Sequence, residues 1–131
     1  MIPSFRSAVR IALFLFPLIG CRSMRESTDN TTDPRWRSID SLANIGQYAS
    51  ALEAVDRLRE AAAEQGDWRT EFRTWVRKGE FQPMLGMEQT DWLMALGDRA
   101  HNAPVPLSQL LHSIRAEGWC NVYEGERWRI L

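Results

Sequence analysis

Few side chains in this sequence could do covalent or acid–base chemistry: two thiols, Cys21 and Cys120, and two imidazoles, His101 and His112. Cys21 sits directly behind Gly20 at the end of an apolar run, and its thiol is the strongest nucleophile among the neighbouring side chains. Cys120 follows Trp119 in a predicted helix with no histidine nearby in sequence, and reads as a small buried hydrophobe. Imidazole is the usual base near neutral pH, and His112 adjoins Ser113. Neighbouring helical residues point about 100° apart, however, so this base and hydroxyl cannot pair. His101 lies close to Asp98 at the polar end of a helix, a position that complements the C-terminal dipole. Glu53, Asp56, Glu60 and Glu64, with Arg57 and Arg59 among them, follow helical spacing and read as a solvated face with i,i+4 pairs. Two cysteines and two histidines, widely scattered, cannot assemble a four-ligand zinc site without several carboxylates. The expectation is therefore no catalytic residue, no metal and no cofactor.

The elements that carry these groups begin with a segment outside any fold. Arg6 and Arg10 precede the run Ile11, Ala12, Leu13, Phe14, Leu15, Phe16, Pro17, Leu18, Ile19. A membrane-spanning helix needs roughly 20 apolar residues, and this run has about half that with a proline inside it. It reads as an export signal, cut from the mature chain. The residues Leu18, Ile19, Gly20 and Cys21 resemble the lipobox of bacterial lipoproteins. That resemblance implies cleavage between Gly20 and Cys21, a diacylglyceryl group on the thiol and, usually, an acylated amine. Two or three acyl chains, at about 0.8 kcal/mol per buried methylene, give a near-permanent anchor without a spanning helix. Arg22 rather than Asp follows the cysteine, which points to the outer membrane, facing the periplasm, over the inner one.

Composition narrows the partners. The formal charge of −1 arises from 16 basic and 17 acidic residues, and removal of Arg6 and Arg10 leaves 14 against 17, a charge of −3. Phosphate-backbone binding needs a concentrated basic face, so nucleic acid is not an expected partner. With Cys21 acylated, Cys120 has no intramolecular disulfide partner, and the hydrophobic core must hold the domain together.

Three segments follow: a signal at 1–20, the lipidated cysteine and a flexible tether at 21–35, and a helical domain at 36–131. The tether is rich in Ser, Thr, Asp, Asn and Arg, and cannot bury enough surface to offset its ordering entropy. From Trp36 onward apolar residues recur at helical spacing and no stretch alternates with period two, so an all-α antiparallel bundle is expected. A first helix over 36–45 carries Trp36, Ile39, Leu42 and Ile45 on one stripe and ends at Gly46. A second over 48–65 carries Tyr48, Leu52, Val55 and Leu58 and ends at Gly66. Asp67 caps a third running to Lys78, with Trp68, Phe72, Trp75 and Val76 on one side and Gly79 closing it. A loop with Pro83 leads to a fourth helix over 87–101, with Trp92, Leu93 and Leu96 inward. The fifth spans 106–124, its stripe being Leu107, Leu110, Leu111, Ile114, Val122 and Tyr123, followed by a turn at Glu124, Gly125 and Glu126. The six tryptophans read as core residues on inward stripes. The apolar ending at Trp128, Ile130 and Leu131 lacks capping residues, and reads either as a chain that continues or as a tail folding back over the bundle.

Two further resemblances concern the helical body. Gly46, Gln47, Tyr48, Ala51, Leu52, Val55 and Leu58 are similar to the hairpin of a tetratricopeptide repeat, where glycine makes the turn and a small residue lets the helices approach; the register does not recur after Gly66. Trp36, Ile39, Asp40, Ser41, Leu42, Gly46, Ser50, Ala51, Leu52, Glu53, Val55 and Asp56 resemble the opening helical segment of bacterial alpha-2-macroglobulin-like lipoproteins. Leu110, Leu111, His112, Ser113, Ala116, Glu117, Trp119, Tyr123, Arg127, Trp128 and Ile130 look like the helix and turn that close that segment. The resemblance implies a noncatalytic anchored segment of a protease-trapping protein whose macroglobulin domains, bait region and thioester lie elsewhere. The thioester motif is Cys-x-Glu-Gln, and Gly86, Met87, Glu88, Gln89 lack its cysteine. A complete small lipoprotein that binds an envelope protein in a groove is the alternative. The lipobox predicts that labelled palmitate enters the wild-type protein and not Cys21→Ala; equal labelling, or none in the wild type, would overturn it.

Overall fold

Asp33 starts the first helix by accepting the backbone N–H of Arg35 at 2.9 Å, and Pro34 occupies the first helical position with φ already suited to it. This computed structural model describes residues 33–130; Gly20, Cys21 and the expected signal lie outside the described residues. The five helices are α1 (Pro34–Asn44), α2 (Tyr48–Gln65), α3 (Trp68–Phe81), α4 (Gln89–Asn102) and α5 (Leu107–Ile130), with a 3₁₀ turn at Pro83–Leu85. No strand occurs among the described residues, and the fold is an all-α bundle.

Several boundaries follow the sequence closely. Gly46 and Gly66 take φ of 78° and 68°, the left-handed conformation that ends a helix without a Cβ clash. The Asp67 carboxylate accepts the Thr70 N–H at 3.2 Å and caps α3. Hydrogen bonds from the Thr70 side chain and then its backbone, working against partial burial, hold the Asp67 carboxyl below its ordinary value of 3.8. Because the folded value lies below the unfolded one, this contribution to stability is full above the ordinary range and is lost as pH falls through the folded value.

Four expectations need correction. First, α1 begins at Pro34 instead of 36 and ends at Asn44, so Ile45 is a cap residue and 66% exposed, not part of the stripe. Second, Gly79 does not close α3, which continues to Phe81. A Cβ there would stand 2.5 Å from the Trp92 ring, so glycine marks a close contact and not an end. Third, the fourth helix starts at Gln89, two residues later than expected, after Glu88 in extended conformation. Fourth, there is no turn at Gly125; α5 is unbroken to Ile130.

The helices are arranged as two hairpins on either side of α3. Lys78 Nζ reaches Asp56 at 2.8 Å and Arg59 lies 5.1 Å over the Trp75 ring, which sets α2 antiparallel to α3. Arg115 Nε donates to the Leu93 carbonyl at 3.1 Å and Ser108 Oγ to that of Ala100 at 2.6 Å, which sets α4 antiparallel to α5. α1 runs parallel to α3, with Arg77 on Asp40 at 2.6 Å and Arg73 4.4 Å over Trp36.

Burial is divided between two clusters. Trp36, Ile39, Ala51, Val55, Leu58 and Phe81 pack between α1, α2 and the end of α3. Trp75, Trp92, Leu93, Leu96, Ala100, Leu107 and Leu111 pack between α3, α4 and α5. Ala51 is fully buried within the first hairpin.

The glycines separate two physical cases. Gly79→Ala gains helix propensity but drives a methyl into the Trp92 ring, and should cost about 2 kcal/mol. Gly125→Ala meets nothing within 4 Å. It should stabilise by about 0.5 kcal/mol through helix propensity alone. Urea denaturation of both variants checks the pair of signs.

Candidate functional site

The residues singled out for chemistry are not gathered together. His101 is exposed in the last turn of α4, and His112 and Ser113 are exposed neighbours on α5. The Ser113 hydroxyl donates to the Gln109 carbonyl one turn back at 3.0 Å. Cys120 is exposed, contrary to the expected burial. The inward face of α5 runs through Leu111, Gly118 and Val122, and Cys120 lies about 200° around the helix from Gly118. Trp119, Tyr123 and Trp128 also point outward, so two of the six tryptophans, Trp119 and Trp128, are not core residues. The acidic run on α2 divides: Asp56 is drawn to Lys78 and to Arg59, at 3.4 Å and three residues away, while Glu53 and Glu64 remain exposed. The pairing is thus largely between helices and at i,i+3, instead of the expected i,i+4. Gly86 lies in a left-handed turn and Glu88 and Gln89 open α4, so the thioester-like tail is a helix start. No group of three or more metal-ligating side chains occurs among the described residues.

What the fold does build is a cleft among α3, α4 and α5, with a volume of about 240 Å³. Its floor is the Trp92 indole, whose N–H donates to the Trp75 carbonyl at 3.0 Å. That carbonyl also accepts from Gly79 in the i,i−4 pattern of α3, so the indole rests on the helix backbone. On the other side Gly118 brings α5 into contact with Leu93 and the Trp92 ring. Val76 and Ile114 form apolar walls, and Glu80, Gln89, Glu117 and Asn121 surround the mouth. Glu80 is held by Arg77 at 2.9 Å. Gln89, Glu117 and Asn121 have no side-chain partner among the described residues.

At the far end of the same interface, the Glu71 carboxylate, 3% exposed, takes two hydrogen bonds from Arg99, at 2.5 and 2.9 Å. The same bonds hold the Arg99 guanidinium more firmly in its charged form. A second groove of about 320 Å³, between α1 and α2, has Arg35, Ser38 and Arg57 at its rim and Ile39 and Leu58 in its floor. Arg35 is already engaged by Asp33 at 2.8 Å.

Sequence reasoning missed the α3/α4/α5 cleft because two of its defining residues, Gly79 and Gly118, carry no hydrophobic signal. No helix of the described residues is long and apolar enough to cross a membrane. No family model matches the chain, and neither a curated protein nor a solved structure matches it.

The Glu71–Arg99 pair closes the interface opposite the cleft and is structural. Arg99→Ala should cost about 2–3 kcal/mol by leaving a buried carboxylate uncompensated, and Glu71→Gln about half as much, since its amide can still hydrogen bond. Chemical denaturation near neutral pH reads both values; no loss in Glu71→Gln would mean that the charge itself contributes nothing.

Proposed function

We propose that the chain is a noncatalytic, lipid-anchored module of a bacterial cell envelope, carried on a tether from Cys21. The observation that carries this reading is the order basic residues, short apolar run, Leu18, Ile19, Gly20, Cys21. A tether of about 13 residues would allow the helical body to stand some 20 Å from the lipid surface, by the scaling of a flexible coil. On this reading the body is the opening segment of an alpha-2-macroglobulin-like lipoprotein, with protease trapping performed by domains encoded beyond Leu131.

A second reading is favoured by the apolar side chains that face solvent. Met84, Met87, Tyr123 and Trp128 are all exposed near one end of the bundle. Such a surface suits a small lipoprotein that binds another envelope protein.

Fractionation tests the shared part of the two readings: the wild-type protein should sediment with membranes, resist salt and alkaline extraction, and dissolve in detergent, while Cys21→Ala is released. Membrane attachment unchanged in the variant would refute it. The reading frame past codon 131 separates the two. Downstream β-rich macroglobulin domains support the first, and an immediate stop codon removes the trap from this polypeptide.

A further inference from the structure

We infer that the cleft among α3, α4 and α5 is a docking site for an arginine side chain presented by an apolar segment of a partner protein. The inference deepens the reading of the body as a protein-binding module, and does not depend on acylation of Cys21. Three observations meet at this place. The first is shape: a cavity of about 240 Å³ with Val76, Trp92 and Ile114 as apolar surfaces can take the aliphatic stem of a long side chain. The Trp92 ring cannot swing in to fill it, because its N–H is fixed on the Trp75 carbonyl.

The second is charge. Glu80 and Glu117 line the cleft from different helices, α3 and α5, with the Gln89 and Asn121 amides beside them. Glu80 has Arg77 as a counter-ion, while Glu117 has none among the described residues. A guanidinium offers five donors in a planar fork, enough to engage a carboxylate and nearby amide oxygens together. An anionic ligand would meet repulsion here, and a purely apolar one would leave the unpartnered polar groups dry.

The third is the surrounding surface. The connection between α3 and α4 leaves Met84 63% and Met87 44% exposed, and α5 projects beyond Gln89 with Trp128, 77% exposed, seven residues and so about two turns on from the cleft-lining Asn121 along the same stripe. Methionines adapt to varied apolar contacts, and aromatic side chains are common anchors at interfaces. A basic anchor in the cleft, with apolar residues on either side, therefore matches both the charge of the mouth and the character of its rim.

The probe is a fluorescein-labelled peptide with one central arginine flanked by leucine and alanine, titrated with the full chain in detergent micelles and followed by anisotropy. A second peptide carries citrulline, which keeps the shape and loses the charge. The arginine peptide should bind at least about tenfold more tightly than the citrulline peptide. Glu117→Gln should weaken arginine binding by about tenfold, and Trp128→Ala by about threefold, with both variants keeping the wild-type melting temperature. Both positions are exposed, so folding should survive. Equal affinity for the two peptides, no effect of Glu117→Gln, or no binding up to about 1 mM would overturn the inference. So would a dimer, seen by sedimentation and abolished by Trp128→Ala, that binds no peptide and so gives the surface to a second copy. Palmitate labelling is unaffected by any of these outcomes, so the anchor and the cleft fail separately.

Discussion

The seat of the Trp92 indole on the backbone of α3 is the constraint on which the second half of the bundle depends. A tryptophan N–H buried without a partner would oppose folding, and here it donates to the Trp75 carbonyl at 3.0 Å. That bond requires the ring to lie against the helix itself, which is possible only where the neighbouring residue has no side chain. Gly79 meets the requirement on α3, and Gly118 lets α5 close from the other side. The Glu71–Arg99 pair then fixes the same two helices at a second point, one turn along α3 from Trp75. Two polar pins at one apolar interface define the register of α4 on α3, which hydrophobic burial alone leaves free to slide.

α3 joins the two cores because its aromatic residues face different ways. Trp75 belongs to the cluster with α4 and α5, while Phe81, at the end of the helix, belongs to the cluster with α1 and α2. The arginines of α3 lie over aromatic rings, Arg73 on Trp36 at 4.4 Å and Arg77 on Phe81 at 5.8 Å. Their stems cover apolar surface while their charged ends reach acids such as Asp40. α3 thus has little free face, and the solvent-facing charge lies mainly on the outer helices.

How much of this could be read from sequence depends on what each residue type reveals. Asp67 and Gly66 mark their helix limits because their signals are local, a capping carboxylate and a left-handed turn, whereas Gly46 stands one residue beyond the Ile45 cap of α1. Gly79 and Gly125 misled because glycine within a helix and glycine after one look alike along the chain. The stripe of α5 passes through Gly118, an inward position with no apolar side chain, and Tyr123, one step around the helix from the inward Val122, reads as its continuation but faces solvent. Cys120 reads as buried because its thiol is small and apolar with no histidine near it, yet it stands about 200° around the helix from Gly118 and is exposed. The all-α class was legible because periodicity persists through every segment, whereas the cleft arises from contacts between Gly79, Trp92 and Gly118, far apart in sequence. Cys21 is the opposite case: its chemistry is written entirely in the adjacent residues and needs no fold.

The open end of the bundle is a consequence of unequal helix lengths. α3 and α4 have 14 residues each and α5 has 24. Ser108 meets Ala100 and Arg115 meets Leu93, so α5 begins level with the end of α4 and the whole excess lies beyond Gln89. At about 1.5 Å per residue, ten further residues carry the helix some 15 Å past its neighbours, less the first turn that Asn121 and Val122 still share with them. α3 cannot follow, since Phe81 is drawn into the other core and Pro83 then removes the N–H that another turn would need. Residues 123–129 are consequently exposed all round, and the pairs Glu124–Arg127 at 3.3 Å and Glu126–Arg129 at 3.0 Å are their side-chain support. Such pairs contribute about 0.2–0.5 kcal/mol each, too little to hold two turns of helix by themselves. The projection therefore draws its order from the packed part of α5, and its aromatic side chains stand in solvent because nothing in the described fold is long enough to reach them.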